Sequence, residues 1–413
     1  MRRFIVLVVI LLMGCQSVVA LPVTPSAIPT ALPASSATPT EAPTPTLPVT
    51  PTPLLPGAGS LHLLAALPPD LTLNAIQDFS VTPQGDILVA TDRSFVRLSS
   101  DGSLLDQTVF KDDLLGVDDA GRGWTVNEAA STIQVWDGGG WTVYDTRHGW
   151  APISPLFRLP LKPDLVTRPD GTVWLATSWD VRQFDGLRWH VFNADQMGIA
   201  LPYRRALATV FTLAMDEQRD FVWAGSCDWQ DGKPVGGGGL SRYDGKHWTP
   251  FSLPATSANG CITALAAAND GGLWVGMAAA LWRLNTTEKT WKSFTPPPLA
   301  NAMTRQYTSQ IQISPDGEPW AAFGLCNPSG CGLLQARARL RSDGWVWEDK
   351  PTAALPQIVW DAQGTGWRLS NAGIVGLDGM VDSVFSIYKT AEQNGRLFVM
   401  TEDKGRVLVW VMQ

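Results

Sequence analysis

Cysteine, histidine, basic clusters and long apolar runs are all scarce in this chain of 413 residues, and each scarcity excludes a class of function. There are five cysteines and four histidines. No C-x-x-C pair occurs and no His lies at ligand spacing from a Cys, so a zinc site finds no support. There is no H-E-x-x-H, no P-loop and no Ser/His/Asp signature, so no metal, cofactor or catalytic residue is assigned. The net charge of −7 comes without a basic stripe, which argues against nucleic acid and against adhesion to anionic lipid headgroups. Helical periodicity is absent almost everywhere.

What is present begins with an export signal. Arg2 and Arg3 precede an apolar run, Phe4 to Met13, of ten residues. A mature membrane-spanning helix needs about 20, so the run reads as the core of a signal peptide, residues 1–14. It ends in Leu12-Met13-Gly14-Cys15. This resembles the lipobox of bacterial lipoproteins, which implies lipidation of Cys15 and a membrane anchor; two or three acyl chains hold lastingly. Removing the leader takes the charge to −9 and leaves four cysteines, an even number, as suits an oxidising compartment facing the extracellular or periplasmic side. Residues 15–58 follow as a tract of Pro, Thr, Ala and Ser. It cannot bury enough apolar surface to fold. At about 3.1 Å per residue in polyproline-II geometry, it makes a stalk on the order of 100 Å long.

From residue 59 to 413 the chain repeats. Gly121, Gly171, Asp220, Gly271, Gly317 and Gly364 each stand three residues before a tryptophan: Trp124, Trp174, Trp223, Trp274, Trp320 and Trp367. Gly85 before Leu88 and Gly395 before Phe398 are two further copies. A second pattern lies inside the units: Asp137-Gly138 leads to Trp141, Asp185-Gly186 to Trp189, Asp244-Gly245 to Trp248 and Asp343-Gly344 to Trp347. Asp-Gly between alternating apolar runs is a hairpin signal. Each unit therefore reads as four short antiparallel strands. Units of this size that cannot fold alone pack radially as blades. The predicted fold is an all-β propeller with its repeated Trp residues between blades. Eight blades fit best, and seven would require one short-spaced unit to be degenerate. The last unit lacks an outer strand, and Ser60 to Leu67 reads as the lone strand that fills the gap and latches the ring. A monomer is the expected state.

The repeat has a family likeness. Asp170 to Thr177 followed by Val181 to Trp189, and Asn269 to Gly276 ending at Trp282-Arg283-Leu284, resemble the propeller repeat in the extracellular sensor regions of hybrid two-component regulators. The resemblance implies a ligand-sensing propeller, often for carbohydrates. No β-sandwich, transmembrane helix or kinase follows the repeats in this sequence, so ligand binding is the part of the family's role that the resemblance carries over.

The turns from first to second strand and from third to fourth are tight, whereas the other connections are long. Those long connections include Ser226 to Gly238 and Gly324 to Gly332 within blades. Between blades they include Asp145 to Lys162, Asn193 to Leu207, Ser252 to Gly260 and Thr295 to Tyr307. Strand alternation puts all of them on one face, where recognition residues concentrate. That face carries Trp150, Phe157, Trp179, Tyr203, Trp229 and Tyr307 beside Asp180, Arg204, Arg205, Asp228 and Arg305. Aromatic planes next to oriented polar groups suit a carbohydrate, peptide or protein ligand. Cys227 ends a second strand and Cys261 starts the next inner strand, so a disulfide between them is expected. Cys326 and Cys331 bracket a short turn that a second bridge closes. An enzyme on this scaffold, a lyase or glycoside hydrolase, requires carboxylates or histidines around the central channel; a structural scaffold of an envelope complex requires neither. The anchor has a direct test: Cys15→Ser is expected to abolish incorporation of labelled palmitate and move the protein from the membrane to the soluble fraction.

Overall fold

The computed structural model describes residues 61–412 apart from connecting stretches, of which 152–163, 200–207, 255–259 and 298–304 are the longest. The leader, Cys15 and the stalk lie outside the described residues. The rest forms eight antiparallel sheets of four strands, which in the first seven run in chain order from inner to outer, and blade 4 carries one additional short strand, Lys233–Gly236. The two short-spaced units are complete. Blade 1 runs from Ile76–Val81 to Leu104–Val109, blade 2 from Asp113–Val117 to Trp141–Tyr144, blade 3 from Asp164–Thr167 to Trp189–Asn193, blade 4 from Ala208–Asp216 to Trp248–Phe251, blade 5 from Ile262–Ala267 to Thr290–Phe294, blade 6 from Arg305–Ile313 to Gly344–Thr352 and blade 7 from Gln357–Trp360 to Val381–Ser383. Blade 8 consists of Ile387–Gln393, Arg396–Asp403 and Arg406–Met412, and its fourth strand is Leu61–Ala66, which pairs Leu61 with Met412 and Ala66 with Leu408. Among the described residues the one named helix is a single 3₁₀ turn, Thr146–His148.

The repeat arises from two local requirements. In the seven copies that are described, the residue three before the repeated Trp or Leu turns the chain from the inner to the second strand, and it does so with positive φ, from 59° at Asp220 to 92° at Gly85. Glycine enters that region freely, and Asp is among the few other residues that tolerate it. The aromatic then lands on the second strand facing the next blade. All six repeat tryptophans are at most 8% exposed. Trp124 meets Phe184 and Trp189 of blade 3 edge-on, at 5.5 and 5.7 Å. Trp174 meets Tyr243 and Trp248 of blade 4, at 5.4 and 6.2 Å. Such pairs add about 0.5–1.5 kcal/mol each to their area burial.

A cross-strand arginine covers several of these rings in a way the repeat pattern did not reveal. Arg283 lies opposite Trp274 and 4.8 Å from its ring centre. Arg339 stands likewise opposite Trp320 at 4.7 Å, and Arg242 opposite Trp223 at 5.5 Å. Blades 6 and 7 also meet through charge: Asp349 of blade 6 is shared by Arg337 of its own blade at 3.2 Å and Arg368 of blade 7 at 3.4 Å.

Around the axis each inner strand has a ladder partner on one side only, so its other edge offers unpaired main-chain groups. Side chains of the preceding blade take up several of them. Asp78 of blade 1 accepts from Val117 N of blade 2 at 3.3 Å. Thr263 of blade 5 donates to Thr308 O of blade 6. Gln312 of blade 6 donates to Ile358 O of blade 7 at 3.0 Å, and Lys389 of blade 8 donates to Gln77 O of blade 1 at 2.8 Å. Blades 8 and 1 also share one core, in which Phe398, Met400 and Val409 pack with Phe79, Ile87 and Val89. Whether the N-terminal strand holds the ring shut is measurable. Deleting residues 59–67 uncovers the Arg406–Met412 edge and is expected to lower unfolding free energy by at least about 2 kcal/mol, read from the urea midpoint. An unchanged midpoint would show that the ring closes without that strand.

Candidate functional site

The elaborated face is built most firmly where blade 4 meets blade 5. The second strand of blade 4, Phe221–Gln230, is ten residues long and outruns the third strand, Leu240–Tyr243. Its surplus length folds back as a small hairpin with Lys233–Gly236. Cys227 near the end of that strand is disulfide-bonded to Cys261, one residue before the inner strand of blade 5, with Cα atoms 4.4 Å apart. Both cysteines are buried. This is the pairing expected from the sequence. Beside it the two backbones touch: a Cβ on Gly238 would overlap the carbonyl group of Gly260. The Gly236–Gly239 run is thus explained at Gly238 by close approach. Ser226 completes the seam, its hydroxyl accepting from Gly239 N at 2.9 Å.

Cys326 and Cys331 stand directly opposite each other across the hairpin of blade 6, a register that the proposed second bridge needs; their side chains lie outside the described residues.

At blade 3 the residues expected to grip a ligand grip one another. Arg182, on the third strand, donates to the Asp180 carboxylate from Nε at 2.8 Å and from an Nη at 3.1 Å. Its other Nη donates to Ala151 O at 2.7 Å. The guanidinium lies 4.1 Å from the ring centre of Trp150. Thr177 adds a hydroxyl to Asp180 at 2.7 Å. Trp150 itself is fully buried and packs edge-on against Trp189 at 5.0 Å. Removing one member of such a closed unit leaves a buried charge unpaired, at a cost of about 3–5 kcal/mol.

Burial therefore corrects part of the expected site. Trp150 and Asp228 are both buried, so they present no surface to a ligand in this structure, and Asp180 is committed to Arg182 and Thr177. Trp179 and Tyr307 are half-buried and retain an accessible edge. Tyr307 lies across the strand pair from Gly324, and its ring occupies the space above that glycine. Burial pushes its phenol pKa up. Phe157, Tyr203, Arg204 and Arg205 fall outside the described residues. Trp229 and Arg305 are described only in their backbone, opposite Ala208 and Cys326.

Two of the histidines have structural employment. His148 closes a capping box with Asp145, Nδ1 to Oδ1 2.9 Å. Asp145 is held well below the usual carboxylate range, first by its hydrogen bond from Arg147. His190 is hydrogen-bonded to Asp185 at 2.7 Å. Burial opposes ionisation of Asp185, but the bonds from His190, Arg188 and Leu187 prevail and hold its pKa down to about 2. Among the described residues no group of three or more His, Cys, Asp or Glu could hold a metal ion.

No family model matches the sequence, and no curated protein matches it. Solved structures with similar folds do. Virginiamycin B lyase from Staphylococcus aureus is 16% identical over 72% of this chain and 94% of its own, with a TM-score of 0.43. YCF48 bound to D1 peptide is 14% identical over 87% and 97%, with a TM-score of 0.42. The extracellular domain of the hybrid two-component system BT3049 from B. thetaiotaomicron is 13% identical over 84% of this chain, with a TM-score of 0.36; this chain spans 53% of that one. Extracellular two-component domains are thus among the structural neighbours, and each likeness is one of fold alone.

The stapled seam yields a prediction. The bridge closes a sequence separation of 34 residues. Replacing Cys227 and Cys261 together by Ser is expected to lower stability by roughly 4 kcal/mol on the chain-entropy account. Urea unfolding of the oxidised wild type against the double variant measures it.

Proposed function

We propose that this chain is an exported, lipid-anchored binding protein that captures a carbohydrate, peptide or protein ligand on the elaborated face of a monomeric propeller. The observation that carries the reading is the asymmetry between the two faces. The inner-to-second turns are tight and repeat one backbone solution in blade after blade. The opposite face bears the long connections, the projecting hairpin of blade 4 and the buried disulfide that ties blade 4 to blade 5. Covalent and glycine-mediated closure is a way to hold recognition loops still, which reduces the ordering cost of binding.

Trp179 and Trp229 are the aromatic contacts proposed on this face, with Arg204, Arg205 and Tyr203 contributed by the connection from blade 3 to blade 4. Trp150, Asp180 and Arg182 support that surface from beneath. The anchor on Cys15 and the stalk hold the propeller clear of the envelope, on its extracellular or periplasmic side.

Combined substitution of Trp179 and Trp229 by Ala is expected to weaken ligand retention at least about tenfold, the loss of one stacking contact or more. Glycan-array binding and pull-down from envelope fractions, with wild type and variant compared at equal folded concentration, provide the measurement. Unchanged binding counts against this face. Crosslinking that recovers one stoichiometric protein in both wild type and variant favours a scaffold role instead.

A further inference from the structure

A recess lies away from the elaborated face, on the axial side of blades 6 to 8. Its volume is about 560 Å³, within the range of small-molecule sites. A plain propeller channel would be walled by every inner strand, whereas this recess is walled by the inner strands of three consecutive blades, with Asn269 from a turn of blade 5 at its border. Its walls are Arg305–Ile313 of blade 6, Gln357–Trp360 of blade 7 and Ile387–Gln393 of blade 8.

The chemistry of the lining is uniform. Asn269, Gln312 and Gln357 contribute amides, Ser314 and Thr390 hydroxyls, and Trp360 an indole; the remaining described lining residues are aliphatic or proline. None of them is titratable. A charged ligand would find no counter-charge in this lining, and burying an unpaired charge is costly. Amides and hydroxyls offer donors and acceptors together. The half-buried Trp360 is braced edge-on by Trp320 at 6.2 Å, so its plane is fixed before a ligand arrives. Gln312 is already oriented by its bond to Ile358 O. A fixed indole flanked by uncharged hydrogen-bonding groups matches a molecule with an apolar face and a rim of hydroxyls.

We propose that this axial recess binds a neutral saccharide of one to a few units, at a site separate from the elaborated face. It requires no participation of the stapled loops, so it stands or falls independently of the face proposed above.

The test uses the detergent-solubilised full chain on an array of neutral and charged glycans. Hits are followed by saturation-transfer NMR and intrinsic tryptophan fluorescence. At least one neutral glycan is expected to bind. Gln357→Ala combined with Thr390→Val should weaken it about tenfold or more, the loss of two hydrogen bonds. Trp360→Phe should remove most of the ligand-induced fluorescence change. Thermal melts verify that each variant is folded, and should the Gln357/Thr390 pair fail to fold, Gln357→Ala alone at the exposed end of the strand serves instead. Binding restricted to charged glycans or to an added alanine tetrapeptide would overturn the proposal, as would the absence of any neutral hit. So would undiminished binding in the recess variants, or a loss confined to Trp179→Ala measured in parallel.

Discussion

The structure depends on one contact repeated around an axis: a large side chain on each second strand, buried against the neighbouring blade. A four-stranded sheet this small has two apolar faces and cannot cover either alone. Trp124 against Phe184 and Trp189, or Trp174 against Tyr243 and Trp248, converts that exposure into cohesion between sheets. Everything functional is hung from this constraint. Because the aromatic must face the next blade, the turn before it must be tight, and because that turn is tight, length accumulates at the opposite end of the strands.

Much of this was legible in the sequence, for a physical reason. A residue forced to positive φ and a large residue forced into an interface leave a fixed spacing, and Gly121 to Trp124 or Gly271 to Trp274 record it directly. The Cys227–Cys261 pair was legible by the same topology, since the end of a second strand and the start of the next inner strand share one end of the wheel. Charge was not legible. Arg283 and Arg339 look like solvated strand residues until the register puts each across from a tryptophan. Asp349 with Arg337 and Arg368 likewise depends on a blade boundary that no local pattern marks.

For the candidate site the sequence offered a set of residues rather than their surroundings. Strand alternation assigns aromatic and charged residues outside the repeat register to one end of the strands, but sequence cannot tell a side chain waiting for a ligand from one that has found its partner within the fold. Trp150 and Asp180 belong to the second kind because Arg182 stands between them. A signal for this existed: Asp180 and Arg182, two apart on one strand, point to the same side. The recess of blades 6 to 8 left no trace in the repeat pattern. It became apparent once the strands were paired.

The polar lacing around the axis has a sense of rotation. In four instances a side chain of one blade satisfies the main chain of its successor: Asp78 serves blade 2, Thr263 blade 6, Gln312 blade 7 and Lys389 blade 1; Thr308 of blade 6 reaches the other way, to Ala280 O of blade 5. Dependence therefore runs mainly forward around the wheel but is returned at some seams. A lesion in one blade strips protection from the blade after it, and where blades 5 and 6 meet from the blade before as well. A lineage that gains or sheds a blade must refit every contact across the new splice.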